Sequence, residues 1–168
     1  MIEIKSYGRR VGDRTQFDCG NAEMNDWIRT KATNQEGTDN TRTFLAVDTA
    51  TDLVLGYYAS CSYQLGLDAA ALAFGMGKKR YPVPALLLAR LAVDRTCQGQ
   101  GIGKALVVHA LEAFAKISKL TGVEIVVVDA IDLNVVAFYA KLGFTRFDGH
   151  EMKLFIPTKT LRAAYFSE

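Results

Sequence analysis

Cysteine is scarce in this chain: Cys19, Cys61 and Cys97 are an odd number, and no two stand as a CxxC pair. A disulfide framework is excluded on that count, and with only two histidines, His109 and His150, a structural zinc site has too few ligands. Charge of one sign is also missing. Twenty Lys and Arg stand against 18 Asp and Glu, a net of +2 that announces no nucleic-acid binder but leaves room for a local patch. The longest apolar stretch, residues 84–93, is broken by Arg90 and is too short to span a bilayer. The opening MIEIKSYGRRVGD alternates and turns polar, without the apolar core of a signal peptide. No internal repeat, low-complexity segment or Pro/Ser-rich linker interrupts the chain. The expectation is one domain over residues 1–168, soluble, reduced and cytoplasmic. What is present fits that: 49% hydrophobic and 23% charged residues are globular proportions, which rules out disorder and collagen-like structure.

Periodicity sets out the elements. Residues 1–7 read as a strand. Asn21 can cap a helix running to about residue 35, with Met24, Trp27, Ile28 and Ala32 on one face. RTFLAVD (42–48) and VLGYYASCS (54–62) read as a hairpin. A short helix is expected at 68–75 and a basic loop, GMGKKR, at 75–80. The strand at 85–93 is nearly all apolar, as in strands covered on both faces. After a glycine loop, Leu106, Val107, Ala110, Leu111, Phe114 and Ile117 mark a helix from about 101 to 120, ended by Gly122. A second buried strand, 123–129, completes a βαβ unit. A helix at 132–141, a hairpin around Asp148-Gly149 and a tail or short helix after Pro157 finish the chain. A hairpin before a crossover makes the sheet mixed.

The informative segment is LAVDRTCQGQGIGK, residues 91–104. A buried strand stops, a glycine turn follows, and a helix starts. Glycines let backbone N–H groups approach an anion, and the new helix adds unpaired N–H groups and the positive end of its dipole. This is a pyrophosphate cradle. It is not a P-loop, because Gly103-Lys104 is followed by Ala105 and the first glycine position is Gln98. A dinucleotide fingerprint fails as well, since Lys104 stands where its third glycine belongs.

The pattern that fits is Q-x-x-G-x-G, Gln98 to Gly103, and here the chain resembles the GNAT N-acetyltransferases. FYAKLGF (138–144) looks like the family's second signature, and the two together cover roughly residues 85–147. The resemblance implies an α/β (α+β) fold with a mixed, mostly antiparallel sheet of six to seven strands flanked by helices. It implies acetyl-CoA as cofactor, with Leu91, Ala92 and Val93 facing the pantetheine arm. Gln98, Gly99, Gln100, Gly101, Ile102, Gly103 and Lys104 would hold the pyrophosphate. The family's chemistry is direct attack of a neutral amine on the thioester, and Tyr139 holds the place of the acid that protonates the departing thiolate. Its normal pKa of ~10 suits a proton donor. Where many members carry a cofactor-binding Asn this chain has Asp132, and Asn134 is the nearest substitute. The strand before the loop has no carboxylate until Asp94, which is expected to order the loop rather than act as a base. An α-amino acceptor, with a pKa of ~7.7–8, needs least help from a base.

Further segments, FDCGNAEMNDWI (17–28), RTFLAV (42–47), YPVPALLLARLAVD (81–94) and VVVDA (126–130), resemble the GNAT toxins of bacterial toxin–antitoxin pairs. That resemblance implies acetylation of the amino acid on a charged tRNA, a block of translation, and neutralisation by a ribbon-helix-helix antitoxin. Members often pair as homodimers. Arg42, Lys78, Lys79, Arg80 and Arg90 are then candidates for substrate phosphates, against the alternative of a solvated surface. Two other functions remain open: a housekeeping acetyltransferase of a small amine, peptide or protein N-terminus, and a non-catalytic acyl-CoA sensor. His109 shares a helix face with Glu112, Lys116 and Lys119 and is expected to be exposed and idle. Cys97 abuts the loop, but direct transfer needs no cysteine nucleophile.

Overall fold

Alternation and turn chemistry produce the hairpin first. β2 (Arg42–Asp48) and β3 (Val54–Leu65) pair antiparallel from Arg42↔Ser60 to Val47↔Val54, with a register shift between Ala46 and Val47. Asp48 accepts the Ala50 N–H at 3.0 Å in the turn that joins them. β1 (Ile2–Ser6) lines the outer side of β2, from Ile2↔Asp48 to Ser6↔Phe44. The computed structural model describes residues 1–66 and 82–166, so the helix expected at 68–75 and the basic loop at 75–80 lie outside the described residues.

The expected helix at 21–35 is present in three parts. Asn21 caps α1 (Ala22–Asp26) by accepting the Met24 N–H at 3.1 Å. A π-helical turn, Trp27–Lys31, follows, and α2 (Ala32–Gly37) continues from it. The π turn is one the hydrophobic period does not reveal; such turns are rare and recur at functional sites. Trp27, Ile28 and Ala32 are buried, as their spacing predicts. They pack with Phe17, Leu45, Val47, Val54, Tyr57, Ala59 and Ala92 into one core.

β4 (Val83–Val93) leads through the glycine loop into α3 (Ile102–Ser118), and β5 (Ile125–Asp129) returns parallel to β4 over Ala85↔Ile125 to Leu88↔Val128. The strand–helix–parallel-strand unit is therefore as the sequence predicts. Its helix stops at Ser118, short of 120. α4 (Leu133–Lys141) is capped by Asp132, which accepts the Val135 N–H at 2.9 Å. β6 (Thr145–Arg146) and β7 (Lys153–Pro157) form the closing hairpin, and β7 pairs antiparallel with β5. The chain after Pro157 is a helix, α5 (Thr158–Tyr165), started where the Thr158 hydroxyl donates to the Val123 carbonyl at 2.6 Å.

The sheet has seven strands in the order β1-β2-β3-β4-β5-β7-β6; β4 and β5 run parallel, while β1–β2, β2–β3, β5–β7 and β6–β7 are antiparallel, which is the mixed, mostly antiparallel arrangement expected. Two compact units divide the chain: Met1–Cys61 with Ala89–Ala110, and Ser62–Leu88 with Leu111–Glu168. In the first, Gly56 of β3 marks a close approach. A Cβ there would stand 2.9 Å from the Ala92 carbonyl oxygen and 3.0 Å from Leu106 Cδ1, so only glycine fits between β4 and α3. The second has a separate core of Leu65, Val83, Ala85, Ile125, Val127, Phe147 and Phe155. Among the described residues, no helix is long and apolar enough to cross a membrane.

Candidate cofactor site and active site

The corner between β4 and α3 is built by Asp94. Its carboxylate accepts the Thr96 N–H at 3.0 Å and the Thr96 hydroxyl at 2.7 Å, starting the 3₁₀ turn Arg95–Cys97, and it accepts the Asp18 N–H at 3.1 Å. Partial burial pushes its pKa up, but these hydrogen bonds to the charged form outweigh that and hold it below the usual carboxylate value. Its part is therefore to order the loop. Gln98 then ties the corner down: its side-chain amide donates to the Val93 carbonyl at 3.0 Å and to the Cys19 carbonyl at 3.3 Å.

Beyond Gln98 the loop offers donors. None of the amides of residues 98–104 meets an acceptor among the described residues; the first that does is Ala105, bonded to the Gly101 carbonyl at 3.0 Å. Gly99 and Gly101 have φ of +79° and +86°, a left-handed backbone that other residues adopt at a cost of about 1–2 kcal/mol. No atom lies within 4 Å of the place a Cβ would take at either position. A row of unpaired amides at the start of a 17-residue helix, with no side chains in front of Gly99 or Gly101, suits a diphosphate. Gln98, Gly99, Gln100, Gly101 and Lys104 are exposed, Gly103 is half-buried and Ile102 is buried. On the strand before them Leu91 and Val93 are half-buried and Ala92 is buried.

Tyr139 lies in the second unit, on α4. It is only 4% exposed and is held edge-on by Phe138 and Phe144, with ring centroids 5.3 Å away in both cases. Burial, aided by the negative charge of Asp129, raises the phenol's pKa above its ordinary value, so it stays protonated at neutral pH. Among the described residues its hydroxyl has no hydrogen-bond partner, which leaves the proton free for another acceptor. Asn134 is exposed in the first turn of the same helix, and Asp132, one step outside it, is spent on the cap.

The candidate basic residues are dispersed. Lys78, Lys79 and Arg80 lie outside the described residues. Arg42 pairs with Asp39 and, at 3.4 Å, with Glu36. Arg90 is the more buried cation. Its guanidinium sits 4.9 Å over the Trp27 ring, donates to Met24 Sδ at 3.3 Å and lies 3.5 Å from the Glu23 carboxylate. Trp27 in turn stacks on Tyr57 with centroids 5.6 Å apart.

Sequence reasoning missed these long-range partners, Asp18, Cys19 and Glu23, because nothing near them in the chain marks them. It also misplaced His109. That ring is half-buried, with Nδ1 2.7 Å from the Tyr58 hydroxyl and Phe44 4.8 Å away. Its helix neighbours give it a polar face, but β2 and β3 supply the aromatic partners. Cys97 is half-buried beside Thr96, with sulfur and hydroxyl 3.4 Å apart.

A strand that ends in an amide-lined glycine turn, set in this mixed sheet, defines an acyl-transfer class. The chain belongs to the GNAT acetyltransferase family, whose domain matches residues 39–146. It is 31% identical, over 92% of its length and 93% of the relative's, to a tRNA-acetylating toxin of Mycobacterium tuberculosis. Among solved structures it resembles AtaT complexed with acetyl-methionyl-tRNAfMet, with a TM-score of 0.86, 30% identity and coverage of 98% of this chain and 99% of that one. A tyrosine-to-phenylalanine mutant of the toxin AtaT, bound to the C-terminus of the antitoxin AtaR and acetyl-CoA, matches with a TM-score of 0.83, 28% identity and 99% of each chain.

Proposed function

We propose that this protein is an acetyl-CoA-dependent toxin that acetylates the amino group of aminoacyl-tRNA and so blocks translation. The observation that carries the reading is the loop of free amides between Gln98 and Lys104, in a chain alike over nearly its whole length to a tRNA-acetylating toxin. Residues 1–168 act as one GNAT domain. The loop amides hold the diphosphate of coenzyme A, and Leu91, Ala92 and Val93 present backbone groups to the pantetheine arm. The acceptor nitrogen forms a bond to the acetyl carbon as the carbon–sulfur bond breaks, Tyr139 gives its proton to the leaving sulfur, and the proton the nitrogen sheds passes to water, from which the phenol is restored. An aminoacyl ester has an amine of low pKa, neutral enough at pH 7 to attack without a strong base. Asn134 is a further cofactor contact, and Arg42, Lys78, Lys79, Arg80 and Arg90 are substrate contacts.

The protein works in the cytoplasm, where its acceptor is made. It is held in check there by a ribbon-helix-helix antitoxin, and two copies pair as a homodimer. The complexes of AtaT with acetyl-methionyl-tRNAfMet and with antitoxin support the acceptor and the kind of partner.

Brief induction in bacteria, followed by mass spectrometry of total tRNA, tests the reading. N-acetylated aminoacyl ends together with growth arrest are expected, and both should vanish with Tyr139→Phe. Normal growth with abundant soluble protein and unmodified tRNA overturns it in favour of a housekeeping amine or peptide acetyltransferase.

A further inference from the structure

Away from the cofactor loop, the first unit carries an open cleft of about 440 Å³ lined by Arg9, Thr30, Thr33, Asn34, Gly37 and Thr38. No carboxylate lines it. Acidic side chains on the helix and just past it have cationic partners: Asp26 pairs with Lys31, and Glu36 and Asp39 pair with Arg42. Arg9, which lines the cleft, and Arg10, next to it in sequence, are exposed and, among the described residues, neither forms an ion pair. Arg14 reaches only the carbonyls of Gly8, Arg9 and Val11 and the face of Tyr7. Four neutral polar side chains therefore share the cleft with Arg9, which has no carboxylate partner, while the Asp26 carboxylate stands behind Thr30, 3.2 Å from its hydroxyl.

The hydrogen-bond accounting narrows the ligand. Thr30 already donates its hydroxyl proton to the Asp26 carbonyl at 2.8 Å, and Thr38 donates to the Asn34 carbonyl at 3.1 Å. Thr33 shares its hydroxyl with that of Tyr7. The oxygens of Thr30 and Thr38 are left as acceptors, while the donors that remain are Arg9 and the Asn34 amide. A ligand that fits must offer both anionic acceptors and hydroxyl donors at short spacing. A ribose-phosphate backbone does: its phosphate oxygens accept from Arg9 and the Asn34 amide, and its 2′-hydroxyls donate to the threonine oxygens. A DNA strand has no such donor.

We infer that the cleft between Arg9 and the Thr30–Thr38 face of the helix binds the ribose-phosphate backbone of the acceptor RNA. The inference deepens the proposed function and rests on it for the identity of that RNA. It gives the tRNA body a seat that the candidate residues Arg42 and Arg90, both paired with carboxylates, do not provide by themselves.

The test uses the full chain and uncharged bulk tRNA in an anisotropy titration over a salt series, so that the readout is binding and not catalysis. Arg9→Glu with Arg10→Glu should weaken tRNA binding at least tenfold and lower the salt slope by about one per lost phosphate contact. Calorimetric affinity for coenzyme A and the circular dichroism spectrum should stay as in the wild type. Thr30→Val with Thr38→Val, which keeps the side-chain shape, should narrow the preference for an RNA hairpin over the DNA hairpin of the same sequence. Unchanged tRNA affinity in the double charge reversal overturns the inference, as does a wild-type protein that binds no tRNA or binds the DNA hairpin equally well. Wild-type binding that depends on Arg9 and Arg10, without acetylation of charged tRNA, supports the cleft and overturns the toxin reading alone.

Discussion

The Asp94 carboxylate accepts the backbone N–H of Asp18 at 3.1 Å, across 76 positions of sequence. The stretch before α1 is thereby pinned to the corner that ends β4. The Arg95 N–H strengthens the tie by donating to the Asp18 carbonyl at 2.8 Å. Asp94→Ala should leave the Asp18 and Thr96 amides without their acceptor, at a cost of about 1–3 kcal/mol. Urea denaturation measures that cost, and calorimetry should show weaker binding of coenzyme A. The folded-state pKa of Asp94 is depressed, so its contribution is present above the unfolded value of ~3.9 and is lost as pH falls through the folded one. Wild type and Asp94→Asn should therefore converge in stability in acid and separate near neutrality.

Tyr139→Phe should lower kcat for acetyl transfer by about 10²–10⁴-fold. Because no described residue bonds the hydroxyl, stability and coenzyme A affinity should stay close to wild type. Loss of activity accompanied by an equal loss of stability would mean that the ring acts only as core.

Gly99→Ala and Gly101→Ala place a methyl group in open space on a left-handed backbone. The penalty of about 1–2 kcal/mol comes from φ alone, and the backbone can escape it only by moving the amides. The expected result is a raised KM for acetyl-CoA with the global unfolding midpoint little changed, read by steady-state kinetics and thermal melts.

Two neighbouring tyrosines on β3 reach different helices. Tyr57 donates to the Met24 carbonyl of α1 at 2.7 Å, while the Tyr58 hydroxyl meets His109 Nδ1 of α3 at 2.7 Å. Burial raises the pKa of both phenols, so both stay protonated across the working range. Tyr57→Phe and Tyr58→Phe should each cost about 0.5–1.5 kcal/mol in urea unfolding, and the double mutant should cost close to the sum.

The parts legible in the sequence were those written locally. Asn21 caps the helix it precedes, and the helix read from position 132 begins just after Asp132. The change from the apolar strand to glycines to the period of Leu106, Val107 and Ala110 marks the β4–loop–α3 unit within a residue or two. The loop and Tyr139 stood out as candidates because both signatures are contiguous. The environment of each side chain was not legible. His109 looked idle because a helical wheel shows only its own helix, whereas Phe44 and Tyr58 come from two other strands. The setting of Arg90 was not legible either, because Trp27, Met24 and Glu23 meet it from far upstream in the chain. The π turn at Trp27–Lys31 shifts the helix by a residue that no capping or propensity signal records.

Gly56 touches no substrate in any reading given above, yet Ala92, Leu106 and Ile102 all crowd the same side of it. A methyl group there would act as a wedge driven between β4 and α3, forcing strand and helix apart. The corner that joins them thus keeps its shape through a hairpin residue some forty positions upstream of the glycine loop.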